Sequence, residues 1–276
     1  MANKVSVVIG RFQPFHKGHQ HLIQRALAGL GVNDALFILV GNADEPATPK
    51  NPWPWTKRKQ WIANWLSGQW QMDRLPQVHI LPLRDYESDL EWASGVQEAV
   101  SGHTESKITL FGHDKDASTY YLKMFPQWDY VDVPNLDIAV DATGIREMIF
   151  TDRFAFLYGV VDQKTLEDIK SDDLAQVKEE YKMLVEYKKS WAHSPYPPTF
   201  VTADAIVVQS GHVLLVCRGR SPGFKQWAIP GGFVDVNERI EDAVFRELFE
   251  ETNIKVPEKV LRHSVVASRV FDRPDR

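Results

Sequence analysis

The chain has one cysteine, Cys217, in 276 residues, which excludes an intrachain disulfide and fits a reducing compartment. It has no surplus of positive charge: 32 Lys and Arg stand against 37 Asp and Glu, a formal net charge of −5. Nucleic-acid binding relies on many basic contacts to phosphates, so the charge argues against that class. Small anionic substrates remain open, because they need only a local basic pocket. No apolar run approaches the roughly 20 residues that span a bilayer. Residues 1–4 lead straight into the apolar stretch 5–9, and Gly10 and Arg11 end it too soon for a signal sequence. There is no internal repeat and no low-complexity tract. The expectation is a soluble, cytoplasmic protein with small-molecule partners, no nucleic acid and no membrane, and with homo-oligomerisation left open.

With 43% hydrophobic residues the chain can bury a sizeable core, and its length favours two domains over one. Apolar runs at 5–9, 35–40, 78–83, 107–111 and 129–133 read as strands, and 19–29, 55–65 and 92–100 as helices between them. Strands alternating with helices predict an α/β fold with a mostly parallel, Rossmann-like sheet, in which ligands bind beyond the carboxyl ends of the strands. From 164 to 191 apolar residues recur at three-to-four spacing, an amphipathic helical signal. Prolines at 195, 197 and 198 end it, since proline cannot continue a helix. The expected domains are therefore 1–191, a proline-rich linker 192–199, and 200–276. In the last of these, 200–209 and 212–218 read as two strands joined by a Ser210-Gly211 turn, the entry to an α+β domain.

The first stretch that carries chemistry is GRFQPFHKGH, residues 10–19. It follows the first predicted strand and opens the first predicted helix. Backbone N–H groups at a helix start lack intrahelical partners and favour negative charge, so a phosphate can dock there. Gly10 lets the backbone come close. His16 and His19 fall on one side of the first turn, where imidazoles can donate to phosphoryl oxygens. A surface histidine cluster is the plain alternative. The lack of a following Gly-Lys-Ser/Thr rules out a Walker A loop.

His16-Lys-Gly-His19 resembles the HxGH signature of the nucleotidyltransferase superfamily, and the extended stretch is similar to the NMN (nicotinamide mononucleotide) adenylyltransferases. That resemblance implies catalytic roles for His16 and His19 and substrate contacts at Gly10 and Phe12. Residues 141–146, DATGIR, resemble the second phosphate motif of the family, with Thr143 and a catalytic Arg146; a capped helix with a surface arginine is the alternative. Gly112 to Asp116 implies a phosphate contact at Lys115, and Asn51-Pro-Trp53 with Arg58 implies further substrate contacts at Trp53 and Arg58. Trp92 stands where relatives stack an indole on the nicotinamide ring, although with nine tryptophans in the chain a core role is the alternative. The family reaction joins NMN and ATP through in-line attack on the α-phosphorus.

The second stretch spans Gly232 to Ile254. Glu238 and the run Arg246-Glu-Leu-Phe-Glu-Glu251 are spaced as in the Nudix box. On a helix, Glu247, Glu250 and Glu251 share one face, and a hard divalent cation relieves their mutual repulsion. A solvated acidic helix is the plain reading of a glutamate run. Arg246 is expected to pair with Glu238. Asn253 stands where the box has glycine, and asparagine tolerates the left-handed turn. The resemblance implies Mg²⁺, with Mn²⁺ as a substitute, held by Glu247, Glu250 and Glu251, with Glu250 also catalytic. Residues 268–273 resemble the ADP-ribose pyrophosphatase branch. Because only 77 residues run from Phe200 to Arg276, fewer than a Nudix fold usually has, the C-terminal part of this domain is expected to be missing. The whole resembles the bifunctional NMN adenylyltransferase/Nudix hydrolase proteins, which implies NAD synthesis and ADP-ribose hydrolysis. The alternatives are adenylylation of another phosphate ester, such as phosphopantetheine, and a Nudix domain that senses ADP-ribose without cutting it.

Overall fold

The computed structural model describes every residue except 1–3, 70–75, 87, 104–105, 115–116, 135, 137–140, 197–198 and 257–276. Lys115, the last two linker prolines and the stretch 268–273 therefore lie outside the described residues. The chain divides into two compact units, Met1–Lys182 and Met183–Arg276.

In the first unit, β1 (Lys4–Gly10), β2 (Ala35–Val40), β3 (Gln77–Pro82), β4 (Lys107–Gly112) and β5 (Asp129–Asp132) form one sheet in the order β3-β2-β1-β4-β5. Every pairing is parallel. The apolar runs are continuous because both faces of the sheet are covered. Val8, Leu36, Ile38 and Val40 enter one core with residues of α1 (Lys17–Leu27), α2 (Trp55–Gln69), α4 (Ala142–Phe150) and α5 (Gln163–Lys170). Their neighbours Val5, Val7, Ile9, Ala35, Phe37 and Leu39 enter the other, with α3 (Asp89–Ala99), Leu122 and Phe125. Each fully buried side chain of this kind, such as Leu36 or Ile38, stabilises the fold by about 1.5–3 kcal/mol.

From β1 the chain moves outward to β2 and β3, then crosses to the far side of β1 for β4 and β5. The order reverses between β1 and β4, so loops leaving these strands diverge and open a crevice at their carboxyl ends. The stretch 10–19 leaves β1 there, and the loop after Gly112 leaves β4.

The strands lie where the sequence predicts them. The amphipathic stretch 164–191 differs, because it forms two helices, α5 and α6 (Ala175–Ser190), separated by Ser171–Leu174. Ser171 and two aspartates supply the reason. Asp173 turns back to accept the N–H of Ala175 at 3.2 Å, and Asp172 turns inward to other partners. Such short polar side chains favour caps over helix interiors.

The second unit contains β6 (Thr202–Asp204), β7 (Val208–Gln209), β8 (His212–Val213), β9 (Val216–Cys217), β10 (Trp227–Ala228) and β11 (Gly231–Phe233), followed by α7 (Ile240–Thr252). The two strands expected over 200–218 are cut into four. The chain changes partner between them, since β6 pairs with β11, β7 with β8, and β9 with β10. Ser210 and Gly211, at φ 51° and 77°, form the expected tight turn between β7 and β8. Phe200 packs on Tyr187 and Trp191 of the preceding segment and on Phe233, with ring centroids 5.2–5.9 Å apart.

Asn253 ends α7 in the left-handed conformation, φ 60° and ψ 14°, with its N–H on the Phe249 carbonyl at 2.8 Å. Asn253→Ala is expected to destabilise the second unit by about 1 kcal/mol, whereas Asn253→Gly leaves it within a few tenths. Denaturant titration of both variants checks this; equal stability would mean the turn is not strained.

Candidate active sites

The first site grows from the turn after β1. His16 is extended, with φ −142° and ψ 173°, and caps α1: its Nδ1 accepts the N–H of Gly18 at 3.1 Å. A side chain on Gly18 would press on that imidazole. Since Nδ1 accepts, the proton of the neutral ring resides on Nε2. His19 lies one turn on, its ring centroid 3.9 Å from that of His16, stacked near Phe15 with planes 7° apart. Burial lowers His16 to about 4; Asp141 pulls it up and Arg146 pushes it further down. Burial, then His16, holds His19 well below the ordinary imidazole range. Both rings are neutral at neutral pH. His19 Nδ1 is buried without a hydrogen-bond partner among the described residues.

The open helix start offers less to an anion than the sequence suggests. The N–H of Lys17 already binds the Val160 carbonyl at 2.9 Å, and that of Gly18 binds His16.

Asp141 caps α4 by accepting the N–H of Gly144 at 2.8 Å, which presents Thr143 and Arg146 on the first turn. Arg146 is buried, at 7% exposure. It donates from Nη1 to the Gln13 carbonyl at 2.8 Å and from Nη2 to Thr143 Oγ1 at 3.2 Å. The two stretches singled out in the sequence, separated by more than a hundred residues, thus meet. Burial and then Arg11 lower Arg146 to about 10, against the pull of Asp141.

Four residues expected to touch substrate frame the loop. Arg58 is 0% exposed; its guanidinium donates to the carbonyls of Arg11 and Gly41, each at 2.6 Å, and of Asn42 at 2.9 Å. Burial, then Arg11, lowers it to about 10. Trp53 is buried and bonds through its indole N–H to Asp172 at 2.9 Å. Phe12 is buried with φ 52°, an uncommon conformation for a bulky residue, and its ring lies against Gly10. The geometry gives Arg58, Trp53, Phe12 and Gly10 a share in shaping the loop, because no open face is left on the three side chains and Gly10 is covered by a ring.

Trp92 is half-buried on α3 and packs into the core on the opposite sheet face, edge-on to Tyr121 with centroids 5.5 Å apart and planes at 71°. It does not meet the histidine pair. Arg11 is exposed and pairs with no described acid, yet its charge adds to the lowering of Arg58 and Arg146 by burial and opposes the rise that burial gives Tyr121. Sequence reasoning passed over Arg11, Gln13, Asp141 and Tyr121. Arg11 and Gln13 lie inside the 10–19 stretch, and Asp141 is recognisable as a helix cap, so a signal existed for those; nothing in the sequence pointed to Tyr121.

The second site centres on Arg246. Its Nε and Nη2 each reach a carboxylate oxygen of Glu238 at 2.8 Å, Nη2 also donates to the Phe233 carbonyl at 2.9 Å, and Nη1 donates to Glu247 at 2.7 Å and Glu250 at 3.4 Å. The expected pairing of Arg246 with Glu238 is thus present. Arg246 and the N–H of Asp235 hold Glu238 down to about 2, and the carboxylates in turn raise Arg246. Glu251 accepts the N–H of Gly231 at 3.2 Å. Gly232 faces Glu247 so closely that any side chain there would displace the carboxylate. No three metal-ligating side chains converge among the described residues, because Glu247 and Glu250 are turned to Arg246.

Residues 7–204 match the model of the cytidylyltransferase-like family, and residues 198–276 that of the NUDIX domain. The nicotinamide/nicotinic acid mononucleotide adenylyltransferase of Acinetobacter baylyi is 33% identical over 182 residues, 64% of this chain and 92% of its own length. A crystal structure of a bifunctional NMN adenylyltransferase/ADP ribose pyrophosphatase from Francisella tularensis matches at TM-score 0.85 and 35% identity, over 100% of this chain and 81% of that one. A structure of the Francisella tularensis protein complexed with AMP and a Mn ion matches at TM-score 0.81 and 33% identity, with the same coverage. With a nucleotidyltransferase crevice in one unit, a Nudix box in the other and this likeness along its whole length, the chain belongs to the family of bifunctional NMN adenylyltransferase/ADP-ribose pyrophosphatases.

Proposed function

We propose that the first unit transfers the adenylyl group of ATP to NMN, giving NAD and pyrophosphate, and that the second hydrolyses ADP-ribose to AMP and ribose 5-phosphate. The observation that carries the first half is the junction of Arg146 with the histidine loop, where its guanidinium donates to the Gln13 carbonyl at 2.8 Å beside two neutral imidazoles, and where the charge of Arg11 adds to what burial does in lowering Arg58 and Arg146. Guanidinium groups this close repel until an anion joins them, and a polyphosphate is the matching ligand. Chain-wide likeness to proteins named for both activities supports the same reading, and no observation favours another phosphate ester or a silent sensor.

In this reading a 5′-phosphate oxygen of NMN attacks the α-phosphorus of ATP, the bond to the β-phosphate oxygen breaks, and pyrophosphate leaves. His16 offers its Nε2–H to a phosphoryl oxygen, Arg146 holds phosphate oxygens with the donors that Gln13 and Thr143 leave free, and His19 steadies the developing charge. Positioning and electrostatics supply the catalysis, without a covalent intermediate. Trp92 offers an indole face to the nicotinamide ring, a contact worth about 0.5–2 kcal/mol for a cationic pyridinium.

In the second unit Glu247, Glu250 and Glu251 would hold a divalent cation, Mg²⁺ or Mn²⁺. The donor set fits: all ligands are carboxylates on one helix face, and the bare Gly232 leaves space for Glu247. When bound, the ion polarises the diphosphate and makes a bound water more acidic. Arg246 and Glu238 keep the helix and the preceding loop in register, and Glu250, whose side chain is 55% exposed, would handle the proton of the attacking water.

Purified protein supplied with NMN, ATP and Mg²⁺ is expected to form NAD, followed by a coupled dehydrogenase, with nicotinic acid mononucleotide run beside it; inactivity with both would refute the acceptor. His19→Ala should lower that turnover by roughly 10² or more, and near-normal turnover in the folded variant would remove His19 from the chemistry. Glu250→Gln should lower AMP release from ADP-ribose by about 10² or more while NAD formation stays intact. Acid titration tests the imidazoles separately. The unfolded chain protonates His16 near the ordinary 6.5, whereas the folded protein resists down to about 4, so this contribution to stability is complete above 6.5 and is lost as pH falls through 4. His16→Asn keeps a capping acceptor for Gly18 and should flatten the fall of melting temperature across that window; an unchanged slope would show that His16 titrates normally.

A further inference from the structure

The reaction proposed above leaves one buried assembly of the first unit unexplained. Asp172, at the break between α5 and α6, accepts the indole N–H of Trp53 on Oδ2 at 2.9 Å and pairs through Oδ1 with Lys57. Trp61 fixes the other side of the same indole, edge-on with centroids 5.3 Å apart, and its own N–H is held by Asp168 at 2.6 Å. Trp53 therefore has its ring locked in place by contacts from two directions. Its main chain then grips Gln13: the Trp53 carbonyl accepts from Gln13 Nε2 at 2.9 Å, and the Trp53 N–H donates to Gln13 Oε1 at 3.2 Å. Gln13 is 2% exposed, so this doubly bonded amide has no competition from water. The Gln13 carbonyl, finally, accepts from Arg146 Nη1 at 2.8 Å.

We infer that Asp172 is a positioning residue for nucleotide binding, acting through Trp53 and Gln13 to set the Arg146 guanidinium. The physical case rests on where freedom remains. Arg146 is bound on one side by Thr143, in its own helix, which fixes it only relative to α4. The Gln13 carbonyl is the group that fixes it relative to the loop carrying His16. That carbonyl is set by the Gln13 side chain, and the side chain by Trp53. Releasing the indole N–H lets Trp53 shift, and a misplacement of a phosphate-holding group by about 1 Å costs up to about 10² in rate. Asp172 itself touches neither the histidines nor Arg146, and its position between two helices gives no motif by which to find it.

The inference rests on the adenylyl-transfer reading, and the experiment separates the two. Titration calorimetry with ATP and Mg²⁺ is made on wild type, Asp172→Ala, Asp172→Asn and Trp53→Phe, each alone and in an Arg146→Lys background, with NAD formation measured in parallel. Asp172→Ala and Trp53→Phe are expected to weaken ATP about tenfold, Asp172→Asn, which keeps an acceptor for the indole, by less than threefold, and none of them further once Arg146 is lysine. The Michaelis constant for NMN should stay unchanged in the Asp172 and Trp53 variants that keep Arg146. Equal losses in both backgrounds would overturn the inference, since the effect would then not pass through Arg146, and so would wild-type ATP affinity in folded Trp53→Phe. Trp53→Phe keeps the ring in the core, so the test stands even where Asp172→Ala does not fold. A wild type that binds ATP but forms no NAD would sink the acceptor assignment and leave the Asp172 result readable from the titrations.

Discussion

Arg58 places a full positive charge where no solvent reaches it and meets it with three main-chain carbonyls instead of a carboxylate. Burying an ion costs several kcal/mol, and hydrogen bonds to a charged group return about 1.5–3 kcal/mol each, so three of them are of the size needed to offset it. A carboxylate would have done so with less effort but would also have cancelled the charge. Carbonyls occupy Nη1 and Nη2, leave the buried Nε without a partner among the described residues, and do not cancel the charge. They belong to the loops after β1 and β2, so the same contact ties the two loops together at the mouth of the crevice. Replacing the guanidinium would thus loosen the loop and remove part of the potential at once.

The remaining features of the first site follow from that frame. Arg11, whose carbonyl is held by Arg58, is exposed, and its side chain faces two other guanidiniums with Asp141 as the counter-charge that pulls Arg146 back up. Perturbed groups of this kind concentrate at functional sites. The imidazoles answer first to burial: it lowers both, with a smaller push from Arg146 on His16 and from His16 on His19, so they shed their protons and remain donors through a single N–H. A protonated His16 would add another positive charge, and its Nδ1 would no longer accept from Gly18, so the cap on α1 and the neutrality of the ring are one property.

Much of this could be read from the chain itself. The five strands of the first unit show as apolar runs because both sheet faces are buried, and the left-handed Asn253 shows because the box position usually holds glycine. His16 and His19, Thr143 and Arg146, and the glutamates of α7 were marked by spacing. What spacing cannot express is which side of a loop a side chain takes. Arg58 and Trp53 carry the right chemistry for a phosphate and a ring, yet one is consumed by carbonyls and the other by Asp172, and only long-range contacts decide that. The break at Ser171–Leu174 was hidden for a similar reason, since the apolar period continues through it and the interruption comes from Asp172 leaving the helix surface for Trp53 and Lys57. Tyr121 likewise owes its place to a fold-level contact, edge-on to Trp92 across thirty residues of chain.

The second unit solves the inverse electrostatic problem. It gathers carboxylates and sets one guanidinium among them, and the bonds of Arg246 are unequal. Glu238 grips it with two oxygens at 2.8 Å and the Phe233 carbonyl adds a third contact, whereas Glu250 is 3.4 Å away with a half-exposed side chain. Drawing Glu250 toward a cation costs Arg246 little, and drawing Glu247 away still leaves three anchors in place. Arg246 can therefore compensate the glutamates when no cation is near and release them without itself moving, which keeps Glu238, the loop and α7 fixed through the exchange. Glu238 is suited to that duty because its carboxyl stays ionised down to about pH 2, so the anchor does not weaken across any pH at which the remaining carboxylates are charged enough to bind a metal ion.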